Sequence, residues 1–514
     1  MDQFLIDIGI LCFAALFLRI WWRRSSLTGA GRPKNLPPGP PGWPLVGNLL
    51  QVVFNRKHFI YIIRDLRKTY GPIFTMKMGQ RTLVIVTDPD LIHEALVQRG
   101  PLYASRPMDS PIRLVFSVGK CAMNSALYGP LWRTLRRNFV TEVVNPTRIR
   151  QCVWIRKWAL ENHLKRMQTE ALEKGFVEVI SNCRLTICSV LICLCFGAKI
   201  SEKRINEIET VLKEVMLMTA PKLPDFLPAL TPLFRRQLKE AHKLREKQLK
   251  CLVPLVRERR EFVESGEKPG KLGSKMVSPI GAAYIDSLFS LDPPERGQLG
   301  DEELVTLCSE VISAGTDTSA MTLEWALYHI VTDQGIQEKL YDEIVSVVGK
   351  TGTITEENVE KMPYLAAIVK ETFRRQPPSH FLLSHSAGKE TELGGYTIPA
   401  DASVEFYTAW MTEDPRFWSD PKVFRPERFL PGGEGFDVDV TGTRGARMLP
   451  FGAGRRICPA WSLGMLHVYL MLAKMVHEFR WLPVTGAPPD PTETFAFTVV
   501  MKNPLKAMIL PRMV

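Results

Sequence analysis

Apolar residues are spread unevenly along the chain, and the first cluster stands at the N-terminus. Phe4 to Trp22 is apolar apart from Asp7 and Arg19, and Arg23 and Arg24 follow it. A bilayer core needs about 17–25 such residues, so the run predicts a transmembrane anchor over residues 1–24. A cleaved leader carries its positive charge before the apolar run, whereas here it comes after. The same charge predicts that the rest of the chain lies on the cytosolic side. Trp21 and Trp22 suit the water interface. Residues 25–34 are polar and basic, and Leu36 to Asn48 is rich in proline and glycine. Proline fixes φ and removes a donor, so this is a stiff extended segment and no helix. Residues 25–47 therefore read as a hinge, and 48–514 as the folded body.

Within the body, the residues from Ile73 to Met78 and from Thr82 to Thr87 predict two short strands joined at Gly79-Gln80. Asp88-Pro89 caps and opens a helix, and Gly100-Pro101 ends it. Helical periodicity dominates from Leu131 to Arg260. The stretch from Glu264 to Ser278 has the Gly, Ser and Lys content of an exposed loop. Asp301-Glu302-Glu303 puts acidic residues at the positive end of a long helix, whose apolar positions run to Val331. Strands and turns return from Gly394 to Thr408, and the stretch from Pro459 to Phe479 predicts a last long helix. No internal repeat is present. The expected fold is mainly α with a smaller β-rich part, in one catalytic domain behind an anchor.

Composition narrows the function. The chain has 514 residues and a formal net charge of +12, and its mean hydropathy is close to zero. That balance belongs to a folded globular protein. It suits an anionic membrane surface or an acidic protein partner. There is no zinc-finger spacing and no long Lys/Arg block, so nucleic acid is the weakest of the partners a basic chain suggests, and none is expected. The ten cysteines form no Cys-x-x-Cys pair and mostly lie in apolar stretches, as buried free thiols do in a reducing compartment. No Gly-x-Gly-x-x-Gly follows a strand. The chain therefore has no dinucleotide site of its own.

The exception among the cysteines is Cys458, in Phe451-Gly452-Ala453-Gly454-Arg455-Arg456-Ile457-Cys458-Pro459-Ala460. A ligand cysteine must be deprotonated. Pro459 is suited to the first position of the next helix, whose N-terminus offers free N–H groups and partial positive charge. Arg455 and Arg456 add charge, and Gly452 and Gly454 permit a tight turn that aims amides at the sulfur. The spacing Phe-x-x-Gly-x-Arg-x-Cys resembles the haem-binding loop of the cytochrome P-450 superfamily. The resemblance implies haem b, with the Cys458 thiolate as iron ligand favouring O–O cleavage. It implies that Phe451, Gly454 and Arg456 are cofactor-binding, with Phe451 packed near the sulfur and Arg456 on a haem propionate. Ala460 stands where the family usually has glycine.

Further marks follow in the family's order, over nearly the whole chain. Glu371-Thr372-Phe373-Arg374 and Pro426-Glu427-Arg428-Phe429 match a buried charge network of Glu371, Arg374 and Arg428, whose role is structural. Ala314-Gly315-Thr316-Asp317-Thr318-Ser319 matches the oxygen-binding helix, where a local distortion opens a groove. There Thr318 would hydrogen-bond dioxygen and Asp317 would relay protons, an acid beside an alcohol. Trp132 and Arg136, one helical turn apart, and His385 would bind propionates. The resemblance also implies an endoplasmic-reticulum membrane protein with one pass and a cytosolic catalytic domain. Its electrons would come from the membrane-bound NADPH-cytochrome reductase, a flavoprotein.

Substrate is less legible. Val115, Phe116, Met123, Met216, Met218, Phe226, Phe381, Leu382 and Val499 make the expected pocket segments apolar, which suits a lipophilic substrate. The stretch from Phe497 to Leu505, with Met448-Leu449-Pro450, resembles plant microsomal members that hydroxylate or epoxidise fatty acids in mid-chain. Alternatives are a chlorophyll catabolite, a phenolic or a terpenoid, or a haem-thiolate isomerase or dehydratase needing no reductase. Such isomerases often lack the oxygen-helix threonine, and Thr318 is present.

Overall fold

The computed structural model describes residues 35–512 except 56, 267–281, 295 and 496–497. The anchor expected over 1–24, residues 25–34 of the hinge and most of the expected Gly/Ser/Lys loop lie outside the described residues. The described helices of ten or more residues are α1 (Phe59–Tyr70), α2 (Pro130–Phe139), α3 (Val153–Lys174), α4 (Val179–Phe196), α5 (Glu202–Met218), α6 (Arg235–Ser265), α7 (Asp301–Thr332), α8 (Gln334–Val348), α9 (Pro363–Arg375) and α10 (Trp461–Glu478). The expectation of a mainly helical body with a smaller sheet part therefore holds.

Helices α4 and α7 form the centre. Val179–Phe196 is apolar on nearly every face and mostly buried. It is the one described helix long and apolar enough to cross a bilayer. Here its neighbours are protein, since it packs on α3, α5 and α7, as a helix apolar all round must. Close approach of α4 to α7 depends on Gly315. A Cβ there would come within 2.7 Å of Leu191 Cδ1. Helix α7 begins with its three acidic residues in the first turn, and Glu303 Oε2 accepts the Gly300 N–H at 3.0 Å. Helix α10 packs against α7, α8 and α9 on the other side.

The strands lie at the edge of this helical mass. β1 (Ile73–Met78) and β2 (Arg81–Val86) pair antiparallel with Ile73 opposite Val86. The turn is the expected one, with Gly79 at φ +57°. β3 (Val177–Glu178) leads into α4. β4 (His385–Ser386) pairs antiparallel with β7 (Ser403–Phe406), which runs parallel to β2. β5 (Thr391–Leu393) and β6 (Tyr396–Ile398) form a hairpin. β8 (Phe479–Pro483), β9 (Glu493–Phe495), β10 (Val499–Met501) and β11 (Lys506–Pro511) close the chain, with β11 between β3 and β8.

Two expectations need correction. The proline-rich stretch assigned to the hinge is part of the folded body. Pro38 O accepts the Thr75 N–H at 2.7 Å, and Gly47 bridges to Met78. Asn48 Oδ1 accepts the Lys77 N–H at 2.7 Å, while its Nδ2 donates to Pro41 O at 3.2 Å. The prolines have no N–H to give, but their carbonyls still pair with the sheet edge. The body thus begins before residue 48. Likewise, the turn after Cys458 is longer than expected: α10 starts at Trp461, and Pro459 lies in the turn ahead of it.

Candidate active site

The loop that carries Cys458 is built by tight backbone contacts. Gly454 has φ +67°, and a Cβ there would fall 1.7 Å from Leu96 O, so only glycine fits. Phe451 O accepts the Cys458 N–H at 2.8 Å. The Phe451 ring meets Phe373 of α9 edge-on at 5.2 Å. Cys458 is only partly buried, unlike Cys121, Cys183, Cys188, Cys193, Cys195 and Cys308.

The electrostatics of Cys458 differ from expectation. Burial pushes its thiol up, and the Ala460 N–H and the Arg136 guanidinium oppose that. Arg136 therefore supplies the nearby charge, in place of Arg455 and Arg456. Arg455 is exposed. The amide and the guanidinium thus favour the thiolate against burial, and a coordinated metal removes a thiol proton outright.

Three guanidinium groups converge beside this loop. Arg136 Nη2 donates to Ile457 O at 2.7 Å. Arg456 Nε donates to Ala104 O at 2.7 Å, and its Nη2 to Ala126 O at 2.6 Å. Its Cζ lies 4.6 Å from the centroid of the buried Trp132 ring, and Arg136 Cζ lies 6.0 Å from it. Arg106, which sequence reasoning missed, donates to Leu383 O at 2.9 Å and Ser384 O at 2.8 Å. Burial, then the charges of Arg106 and Arg136, push Arg456 down to about 9. Burial pushes Arg106 to about 10. Among the described residues none of the three has a carboxylate in ion-pair contact. Clustered cations with no carboxylate in direct contact fit an anionic group, and the two propionates of haem b supply one.

His385 makes a different contact from the expected one. It is buried, and its Nδ1 gives a hydrogen to Tyr103 O at 2.7 Å. Burial holds the ring well below the usual histidine range. His385 thus secures the Tyr103 carbonyl through Nδ1.

Glu310 ties α7 to this loop. Its carboxylate accepts the N–H groups of Met123 at 2.8 Å and Asn124 at 2.7 Å. Met123 O in turn accepts from Arg456 Nη1 at 3.1 Å. Two turns along α7 stand Asp317 and Thr318. The expected distortion is not seen, because α7 is unbroken from Asp301 to Thr332. The hydroxyls of Thr318 and Thr322 are satisfied by carbonyls four residues back, at 2.7 and 2.8 Å, so they need not open the helix. Gly315 serves the contact with α4 instead.

Asp317 is buried and paired. Arg184 Nη2 of α4 donates to its Oδ1 at 2.5 Å, and Thr498 Oγ1 to its Oδ2 at 3.1 Å. Sequence reasoning missed Arg184, although a charge in an otherwise apolar helix signals a buried partner. Glu371, Arg374 and Arg428 do come together. Arg374 donates to both oxygens of Glu371 at 2.7 Å, and Arg428 Nε to Glu371 Oε1 at 3.3 Å. Of the expected pocket residues, Val115, Phe116 and Met218 share one apolar cluster, while Phe226 and Phe381 pack against the β1–β2 sheet.

Comparison with known proteins agrees with this geometry. A family model described as Cytochrome P-450 matches residues 37–510. Cytochrome P-450 89A9 of Arabidopsis thaliana is 37% identical over 93% of this chain and 94% of its own. Premnaspirodiene oxygenase of Hyoscyamus muticus is 30% identical over 99% of each chain. A zebra fish cytochrome P-450 structure with progesterone superimposes with a TM-score of 0.72 at 21% identity, covering 88% of this chain and 99% of that one.

Proposed function

From the premise that this chain belongs to the cytochrome P-450 family and is a haem-thiolate monooxygenase, we propose that it inserts one oxygen atom of O2 into a fatty acid, by in-chain hydroxylation or epoxidation. Electrons pass from NADPH through a membrane-bound flavoprotein reductase, and a single N-terminal anchor holds the chain on the endoplasmic reticulum. The observation that carries the oxygenase reading is Glu310. It joins the helix of Asp317 and Thr318, through Met123, to the Arg456 loop that presents Cys458.

When bound, the haem supplies the iron position at which dioxygen is activated. The chain's own residues do the rest. The Ala460 amide and Arg136 steady the Cys458 sulfur. Arg106, Arg136 and Arg456 offer the charge that two propionates need. Thr318 presents a hydroxyl on α7, and Asp317 supplies protons to it. Overall, substrate, O2, two electrons and two protons give oxygenated product and water. Apolar, adaptable side chains such as Phe116, Met123 and Met218 support an acyl chain as the substrate. A ring-bearing plant metabolite is the second reading, favoured by the name of the premnaspirodiene oxygenase relative.

The first test is the carbon monoxide difference spectrum of the reduced, membrane-expressed protein. It should show the red-shifted Soret band of a thiolate-ligated haem, and Cys458→Ala should lose that band while keeping most of the fold. Turnover with reductase and NADPH on fatty acids of graded length then tests the substrate. Oxidation of a terpenoid or phenolic panel, with every fatty acid left untouched, would replace the first reading by the second.

A further inference from the structure

Arg81 opens β2 directly after the Gly79-Gln80 turn. Side chains alternate along a strand, so Arg81 shares a face with Leu83 and Ile85, and Ile85 pairs with Glu405 of β7. Phe226 and Phe381 pack on the same face. The turn is pinned there, because the Gln80 N–H donates to Phe226 O at 2.9 Å. A second arginine comes from the short helix Pro111–Ser117. Arg113 Nε donates to Thr219 O, just past the end of α5, at 3.0 Å. Val115 and Phe116 of that helix share an apolar cluster with Met218. Each arginine therefore stands beside apolar side chains of the expected substrate pocket.

Neither guanidinium is fully paired. Both residues are half-buried. Among the described residues, the Arg81 side chain has no hydrogen bond or ion pair, and Arg113 has none through Nη1 or Nη2. The charges of Asp225, Arg113, Asp109 and Glu405 all act on Arg81, yet none of these carboxylates is in ion-pair contact with either arginine. Asp225 Oδ2 accepts the Lys222 N–H at 2.9 Å, within its own turn, and Glu405 Oε2 accepts from Ser384 Oγ at 2.9 Å. Asp109 Oδ2 is buried without a donor. Burial pushes Asp109 and Glu405 up, toward the uncharged form, and pushes Arg81 down. Of the other cations near Asp109, Lys120 donates to Pro107 O at 3.1 Å and Arg106 belongs to the group beside the Cys458 loop. A guanidinium drawn out of water is ordinarily paired, and its planar fork matches a carboxylate with two parallel bonds.

We propose that Arg81 and Arg113 bind the carboxylate of the substrate, so that the enzyme takes free fatty acids in preference to their esters. The inference rests on the fatty-acid reading above and adds where the polar end of that substrate sits. From the two arginines the acyl chain follows Phe226, Phe381, Phe116 and Met218 toward α7. The helix of Arg113 is held to α7, where Thr306 Oγ1 donates to Phe116 O at 3.2 Å. A head group fixed between a strand and that helix limits which carbons of a flexible chain can reach Thr318. Apolar walls alone would let the chain slide, because its methylene groups are alike. The anchor is what confines oxidation to set positions within the chain.

The test uses the full-length, haem-loaded protein. Binding is read from the substrate-induced shift of the Soret band, and products are read after turnover with reductase and NADPH. The parent should bind a fatty acid at least about tenfold tighter than its methyl ester, and an alkyltrimethylammonium of equal length no better than the ester. Arg81→Gln and Arg113→Gln should each weaken the acid roughly tenfold, leave the ester unchanged and spread oxidation over more chain positions. Arg81→Lys should restore part of the acid's advantage, since it keeps the charge and loses the fork. Neither arginine closes an ion pair, so melting temperature should stay at the parent value in all three variants. An acid and an ester bound equally by the parent, or an acid-to-ester ratio unchanged in both glutamine variants, overturns the anchor and leaves the acyl substrate standing. Tighter binding of the ammonium than of the acid also overturns it, in favour of a cation held by Asp109 and Glu405. If acid and ester of every length neither shift the spectrum nor turn over, the fatty-acid reading itself falls, and the anchor with it.

Discussion

The Arg–carboxylate clusters around Glu371 and around Asp317 are built to opposite specifications. At Glu371, both guanidinium groups are fully buried and every N–H has an acceptor. Arg374 divides its five donors between Glu371, Thr412 O, Pro421 O and Val423 O. Arg428 divides its own between Glu371, Ser419 O, Glu434, Asp420 O and Val423 O. At Asp317, Arg184 Nε lacks a hydrogen-bond acceptor, and the partly exposed Glu209 carboxylate lies 4.0 Å from it. Desolvated charges are tolerable only when completely paired. The first cluster meets that demand, so it can only hold the fold together. The second falls short of it, with one buried donor left without an acceptor.

The largest test of this contrast is Glu371→Ala. It strands two buried guanidinium groups, a loss of about 3–5 kcal/mol by analogy with broken buried pairs. Expression should yield no folded protein with a thiolate-haem spectrum, and a normal spectrum with normal thermal stability would show that the sealed cluster is dispensable. Next comes Asp317→Asn. The amide oxygen can still accept from Arg184 and the amide N–H group can donate to the Thr498 hydroxyl, so melting temperature and haem content should stay close to the parent. Product formation should nevertheless fall by about a hundredfold, and unimpaired turnover would place proton supply elsewhere.

Thr318→Ala should have a smaller effect. Its hydroxyl bonds only locally, to Ala314 O, so the fold and haem should persist. Product per NADPH should drop several-fold, in the manner of a lost proton donor, with peroxide accounting for the missing electrons. Full coupling would count against its role.

The mildest change is Glu310→Gln. Although part of its surface is open, the Glu310 carboxyl lies deep, and burial pushes it up to about 7 from the ordinary 4.5. A carboxyl raised on folding contributes stability that is fully present below its unfolded value and lost as pH rises through its folded one. Parent stability should therefore decline between about pH 4.5 and 7 by a component that Glu310→Gln lacks, since glutamine has no proton to lose. Chemical denaturation at stepped pH would detect this, and parallel curves for the two proteins would remove Glu310 as the cause.

Much of this was legible without coordinates, because some local signals are strong. Asp88-Pro89 capped a helix start, with Asp88 Oδ1 accepting from Asp90 and Leu91. The acidic triplet at Asp301 opened α7. The loop spacing around Cys458 was specific enough to name a family and its cofactor. Other features were misjudged where a local rule met a tertiary contact. Proline and glycine near residue 40 suggested a free hinge, yet their carbonyls pair with β1. Gly315 suggested a weak point in a helix, yet it is a contact surface for Leu191.

What the chain's sequence determined by itself is the set of groups: a cysteine in a glycine-bounded loop, an acid beside an alcohol, and a Glu and two Arg in fixed order. Those signals are local, and they survive any reading of the rest. Only the tertiary structure decided which charges meet. Arg106, Arg184 and Glu310 carry no spacing that marks them, and each finds its partner from a distant segment. The physical reason is that a charge deep in a protein is settled by its complete surroundings, and those surroundings come from helices and loops that are far apart in the chain.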